Sequence, residues 1–74
     1  MTEAFCVVFA RCRKEAGLTL QGLADKAGLT QATVWNYEKG NWLPPVDKME
    51  TLCDAMGLTM GQFWKRYDQQ KAAG

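Results

Sequence analysis

Five side chains between Gln31 and Lys39 are of kinds that recognise rather than react. Gln31 and Asn36 carry amides with a donor and an acceptor side by side, Lys39 a cation, Trp35 an indole and Ala32 a bare methyl. At about 100° per residue these five fall in one helical arc about 140° wide, with Val34 and Tyr37 opposite. One face packs, and the other is free to touch a surface through hydrogen bonds and apolar contact. Covalent chemistry lacks its usual side chains, because the chain contains neither serine nor histidine. That removes the Ser–His and Cys–His nucleophile pairs and the commonest metal ligand. An enzyme is not expected, nor a metal or other cofactor, nor a small-molecule ligand. Cys6, Cys12 and Cys53 form an odd set without CxxC spacing. They read as free, mostly buried thiols of a reducing cytoplasm.

The stretch from Leu20 to Lys39 must position those residues, and it reads as two short helices broken at Gly28. Leu23, Ala24, Ala27, Leu29, Val34 and Tyr37 follow a helical period that is interrupted once, at the glycine. Ala24 supplies a small side chain where two steeply crossed helices meet. The tripeptide Gly-Leu-Thr occurs at 17–19, 28–30 and 57–59, and each copy can end one helix and start the next. Glycine takes the left-handed position, leucine packs on the residue five further on, and threonine caps the free N–H groups. Gln62 completes a capping box with Thr59.

Around this pair the remaining helices are set by apolar stripes. Phe5, Phe9, Cys12 and Ala16 mark a first helix from about Glu3 to Ala16, with Arg11, Arg13 and Lys14 near its negative end. Asn41 to Pro45 is a proline-stiffened loop, and the helix after it carries Val46, Met49, Leu52, Cys53 and Met56 as a buried stripe ending at Gly57. A last helix from Met60 to about Tyr67 bears Met60, Phe63, Trp64 and Tyr67, more apolar surface than its own domain requires. The polar and small residues 68–74 read as a short flexible tail after a domain of residues 1–67.

Seventy-four residues make one domain whose core is marginal without a partner subunit. No apolar run approaches the ~20 residues of a membrane span. Net charge is only +1, so any basic surface must be local rather than global.

Arg13, Leu18-Thr19, Leu23-Ala24, Gly28, Tyr37-Glu38 with Gly40, Pro44 and Met56-Gly57-Leu58 together resemble the Cro/C1-repressor (XRE-type) helix-turn-helix of phage and bacterial regulators, over about residues 5 to 64. The resemblance implies an all-α, compact five-helix lambda-repressor-like domain. It also implies a DNA-binding transcription regulator that meets an inverted-repeat operator as a homodimer, with its third helix in the major groove. Gln31 matches the family position that pairs with adenine, Asn36 suits the same geometry one turn on, and the Ala32 methyl can meet a thymine methyl. Thr30, Thr33, Lys39 and Asn41 are placed for phosphates. Arg11 and Lys14 either contact phosphate or only complement the helix dipole. Glu38 is implied to pair with Arg13 structurally, and Met60, Trp64 and Tyr67 to form the two-fold contact.

Three departures stand out. Leu20 replaces the glutamine usual at the first position of the second helix, putting a phosphate contact in doubt. Gly22 within that helix costs roughly 1 kcal/mol relative to alanine. Trp35 stands where the family more often has a small residue, and three readings compete: packing in the groove on a sugar or thymine methyl, folding over the loop near Trp42, or meeting a protein partner. The rival function is a protein-interaction module or antitoxin-like subunit of the same fold that binds little or no DNA, which the near-neutral charge favours.

Overall fold

Three Gly-Leu-Thr corners shape the chain. The computed structural model describes residues 2–73, which form α1 (Thr2–Glu15), α2 (Leu20–Ala27), α3 (Gln31–Lys39), α4 (Val46–Ala55) and α5 (Met60–Ala73). At the corner between α2 and α3, Gly28 has φ 71° and its N–H reaches back to the carbonyls of Ala24 and Asp25. Only glycine holds that left-handed turn without a Cβ penalty. The threonine of each copy then caps the next helix. Thr19 accepts from Gly22 N at 2.9 Å, Thr30 from Thr33 N at 3.2 Å, and Thr59 from Gln62 N at 3.1 Å. Gln62 Oε1 accepts from Thr59 N at 2.9 Å, closing the capping box. The three leucines are partly buried against the core.

A Cβ at Gly22 would lie 3.1 Å from Thr19 Oγ1, the oxygen that accepts from the Gly22 N–H. Thr33 and Gln62 hold the same place under the other two threonine caps, so nothing in the structure requires glycine there.

The helices enclose one core. α1 packs on α3 and α5, α2 on α3 and α4, and α4 on α5. Phe5, Phe9, Phe63, Leu23, Val34, Met49 and Leu52 fill it, with Ala24 fully buried at the helix-turn-helix crossing. Cys12 and Cys53 are buried free thiols, while Cys6 is half-buried. Burial pushes the Cys53 thiol up to about 11, with Cys12 and Asp54 adding to the effect, so it packs as a small hydrophobe.

Three expectations need correction. Ala16 is exposed and Val8 is buried instead. α1 stops at Glu15, which leaves Ala16 in the turn, and α1 is covered on two sides, which widens its buried arc to include Val8. Val46 is 75% exposed: its angular position suits the stripe, but as the first residue of α4 it has no element over it. Finally, α5 runs to Ala73 rather than to Tyr67. Residues 68–73 contain no glycine or proline to stop a helix, and Gln70 accepts a hydrogen bond from Arg11 at 3.4 Å. The last residue of the expected tail, Gly74, lies outside the described residues. Among those described, no helix is long and apolar enough to cross a membrane.

Candidate nucleic-acid interface

α3 is held by its inner side and by both ends. Val34 and Tyr37 are buried in the core, and the Phe9 and Tyr37 rings meet edge-on at 6.4 Å. Thr30 caps the start, and Gly40 ends the helix at φ 80°. Near that end the Arg13 guanidinium of α1 grips Glu38: Nε donates to one carboxylate oxygen and Nη2 to the other at 3.3 Å. Nη1 donates to the Leu18 carbonyl at 2.8 Å. One arginine thus ties α1, the turn before α2, and α3. The two side chains are 13% and 11% exposed, so water screens this pair little.

The outer side of α3 carries Gln31, Ala32, Trp35 and Lys39, all exposed. Its electrostatics depend on the Arg13–Glu38 pair. Glu38 is the one carboxylate in α3, and Arg13 neutralises it, so Lys39 sets the sign of the outer face. A near-neutral chain thereby presents a locally positive rod end. Lys39 Nζ sits 5.7 Å from the centre of the Trp35 ring, a cation–π distance that steadies both side chains. Trp35 is 44% exposed and Trp42 53% exposed.

Not every expected contact residue is equally free. Asn36 Nδ2 donates to the Ala32 carbonyl at 2.8 Å, and its Oδ1 accepts from Asn41 Nδ2 at 2.8 Å. The Asn36 amide therefore bridges its own helix and the following loop, and brings Asn41 beside α3. The Thr30 and Thr33 hydroxyls share a hydrogen bond at 2.8 Å. Each still has lone-pair or proton capacity for a phosphate oxygen. Arg11 and Lys14 do not join this face. Arg13 of α1 points to α3, Arg11 lies roughly 160° away around that helix and reaches Gln70 of α5, and Lys14 lines an open hollow of α1 beside Arg11, Val7 and Ala10. In α2, Leu20 is partly buried, and Gln21 Nε2 is spent on Asp25 at 2.7 Å. Gln31 is left without a bracing amide from α2.

A second exposed region lies at the other end of the core. Leu43, Pro44, Val46, Met49, Met60, Trp64 and Phe5 line an apolar groove of about 190 Å³. Trp64 meets Phe63 edge-on at 5.2 Å and Tyr67 at 5.3 Å. Leu43 and Val46 had no place in this patch on sequence grounds. The signal for Leu43 was its position beside two prolines, where a loop leucine has little backbone freedom to turn inward. Among the described residues no three Cys, Asp or Glu side chains gather as a metal site.

No curated protein matches the chain. Among solved structures, the clp gene regulator ClgR from Corynebacterium glutamicum is similar in fold. One structure of it has a TM-score of 0.90 at 19% identity over 97% of this chain and 77% of that one. A second has a TM-score of 0.85 at 19% identity over 93% and 88%. The family model described as a helix-turn-helix domain matches residues 4–62. That span includes the glycine-broken pair, the arginine that clamps it, nearly all of α1, the whole of α4 and the first residues of α5, and the chain belongs to the helix-turn-helix domain family.

Proposed function

We propose that the chain is a sequence-specific DNA-binding transcription regulator of the small phage or bacterial repressor or controller type. It acts in the cytoplasm and binds an inverted-repeat operator as a homodimer. α3 of each subunit enters the major groove of one half-site, the two centres lying about 34 Å apart. The observation that carries this reading is the exposed row Gln31, Ala32, Trp35 and Lys39 on a helix whose carboxylate is neutralised from behind. The similarity of fold to a gene regulator supports it.

Within that reading Gln31 is the principal base reader, its free amide matching the N6 and N7 edge of adenine. Ala32, Trp35 and Asn36 lie against neighbouring bases. Thr30, Thr33, Lys39 and Asn41 take phosphates, which fix register without reading sequence. Met60, Trp64 and Tyr67 form the two-fold contact. The groove beside them adds apolar surface, and a depletion of charge at the centre is what such contacts share.

Selection of bound duplexes from a random library tests the proposal directly. The wild-type chain should enrich an inverted repeat, and Gln31→Ala should weaken it by roughly 1 to 3 kcal/mol while relaxing preference at one base pair per half-site. Unchanged selectivity would remove Gln31 from its role. Failure to enrich any duplex would leave the protein-interaction reading, for which the exposed groove speaks. Sedimentation tests the dimer separately: Trp64→Glu should give monomers at concentrations where the wild type pairs, and persistent dimers would move the contact elsewhere.

A further inference from the structure

We infer that the hollow between α1 and the end of α5 binds a small organic dicarboxylate, with one carboxylate on Arg11 and the other on Arg66. The inference is independent of what α3 does.

Arg11 faces away from α3 and lines a hollow of about 330 Å³, to which α1 also contributes Glu15 and α5 contributes Arg66, Gln69 and Gln70. Val8 and Cys12, each 2% exposed, close its inner side. That volume lies at the small end of ligand sites, which combine an apolar floor with a few converging polar groups. Gln69 and Gln70 belong to the length of α5 beyond Tyr67. The hollow has its second wall only because that helix runs on.

The lining favours an anion. Glu15 is its one carboxylate, and Arg66 neutralises it through Nη1, which also donates to Cys12 Sγ at 3.6 Å. Arg11 Nη1 donates to Gln70 Oε1 at 3.4 Å. Each guanidinium is thus held by Nη1 alone, and Nε and Nη2 have no partner among the described residues. Those two groups form the edge that grips a carboxylate with parallel hydrogen bonds. The adjoining hollow on α1 shares Arg11 and Glu15 and adds Lys14. Arg11, Lys14 and Arg66 set against Glu15 leave two positive charges over, the charge that a dicarboxylate brings. Two phosphates would bring roughly twice that, and with Glu15 alongside the excess would repel. A ligand with one acidic head fills one fork and leaves the other in water, whereas a dicarboxylate fills both and ties α1 to α5.

The test follows amide chemical shifts of the full chain while malonate, succinate or glutarate is added at constant ionic strength, with acetate and inorganic phosphate as one-headed controls. At least one of the three should bind saturably, with changes centred on residues 8–15 and 66–70, and tenfold or more tighter than either control. Arg11→Gln and Arg66→Gln should each weaken that binding about tenfold or more, as the loss of a charge-assisted pair requires. Both variants should fold, since Arg11 is exposed and the Arg66–Glu15 pair is 41% and 54% exposed. Arg11→Lys keeps the charge but loses the fork, so it should restore little. Lys48→Gln removes the same charge from an exposed position on α4 outside the hollow and should change nothing. No saturable change with any of the three, equal affinity for acetate or phosphate, full binding by Arg11→Lys, or an equal loss in Lys48→Gln overturns the inference. None of these results bears on whether α3 meets DNA.

Discussion

Glu38→Ala is expected to lower folding stability by about 3 kcal/mol, toward the low end of what removing one partner of a buried ion pair costs. Arg13 would keep its bond to the Leu18 carbonyl but would lose both carboxylate contacts in a place almost closed to water. The resulting unpaired guanidinium must either rearrange outward or stay uncompensated, and either outcome loosens α1 from α3. Domains of this length hold roughly 4 to 11 kcal/mol in total, so the melting temperature should fall by about 12 to 24 °C. Replacing Arg13 and Glu38 together by apolar residues should cost much less than the single change, because no charge is stranded. Urea unfolding of the two variants checks both statements. A loss below about 1 kcal/mol for Glu38→Ala would mean that the pair behaves like a surface contact.

Phe63→Ala should be comparably severe, at about 3 to 5 kcal/mol. Its ring is fully buried, lies 5.6 Å from Phe5 and stands edge-on to Trp64 at 5.2 Å. The cavity would open where α1 and α5 meet, between side chains too large and too tethered to collapse inward. Because Trp64 leans on Phe63, the apolar groove should lose its shape as well, so the two-fold contact proposed there should weaken by more than the loss of stability alone implies. A calorimetric loss smaller than about 1.5 kcal/mol would show that the site closes over the missing ring.

Much of this architecture can be read directly from the chain because it is encoded locally. The Gly-Leu-Thr corners carry their own backbone geometry, cap and apolar contact within a few residues, so the starts of α2, α3 and α5 and the ends of the helices before them are marked in the local sequence. The inner side of α3 was equally legible, since Val34 and Tyr37 sit opposite the arc that carries Gln31, Asn36 and Lys39. Val46 shows where periodicity stops being sufficient. It gives the direction of a side chain but not whether another element covers it, and nothing lies over the start of α4. The continuation of α5 to Ala73 was hidden for the opposite reason. Residues 68–73 have no apolar stripe, and they remain helical because nothing in them breaks the helix and because Arg11 reaches Gln70.

The reading face divides along the same line. Which residues share the outer arc of α3 is a matter of angle, and the angle is in the sequence. Which amides on that arc are already engaged depends on the path of the loop after Gly40. The bridge from Asn41 to Asn36 joins residues five apart across a helix end, and no periodic pattern marks it. Arg11 and Arg13 make the same point on α1: two residues of one charge, separated by a single position, serve opposite sides of that helix.

Whether the outer side of α3 is the surface that meets DNA can be asked of the backbone itself. Amide chemical shifts would be followed while the selected duplex is titrated into the chain at two salt concentrations. The largest changes should fall on residues 30–39 and Asn41, and affinity should drop steeply as salt rises, as release of counterions from contacted phosphates requires. Changes confined to residues 42–46 and 60–67, with α3 unmoved, would contradict the assignment of α3 as the DNA-reading helix.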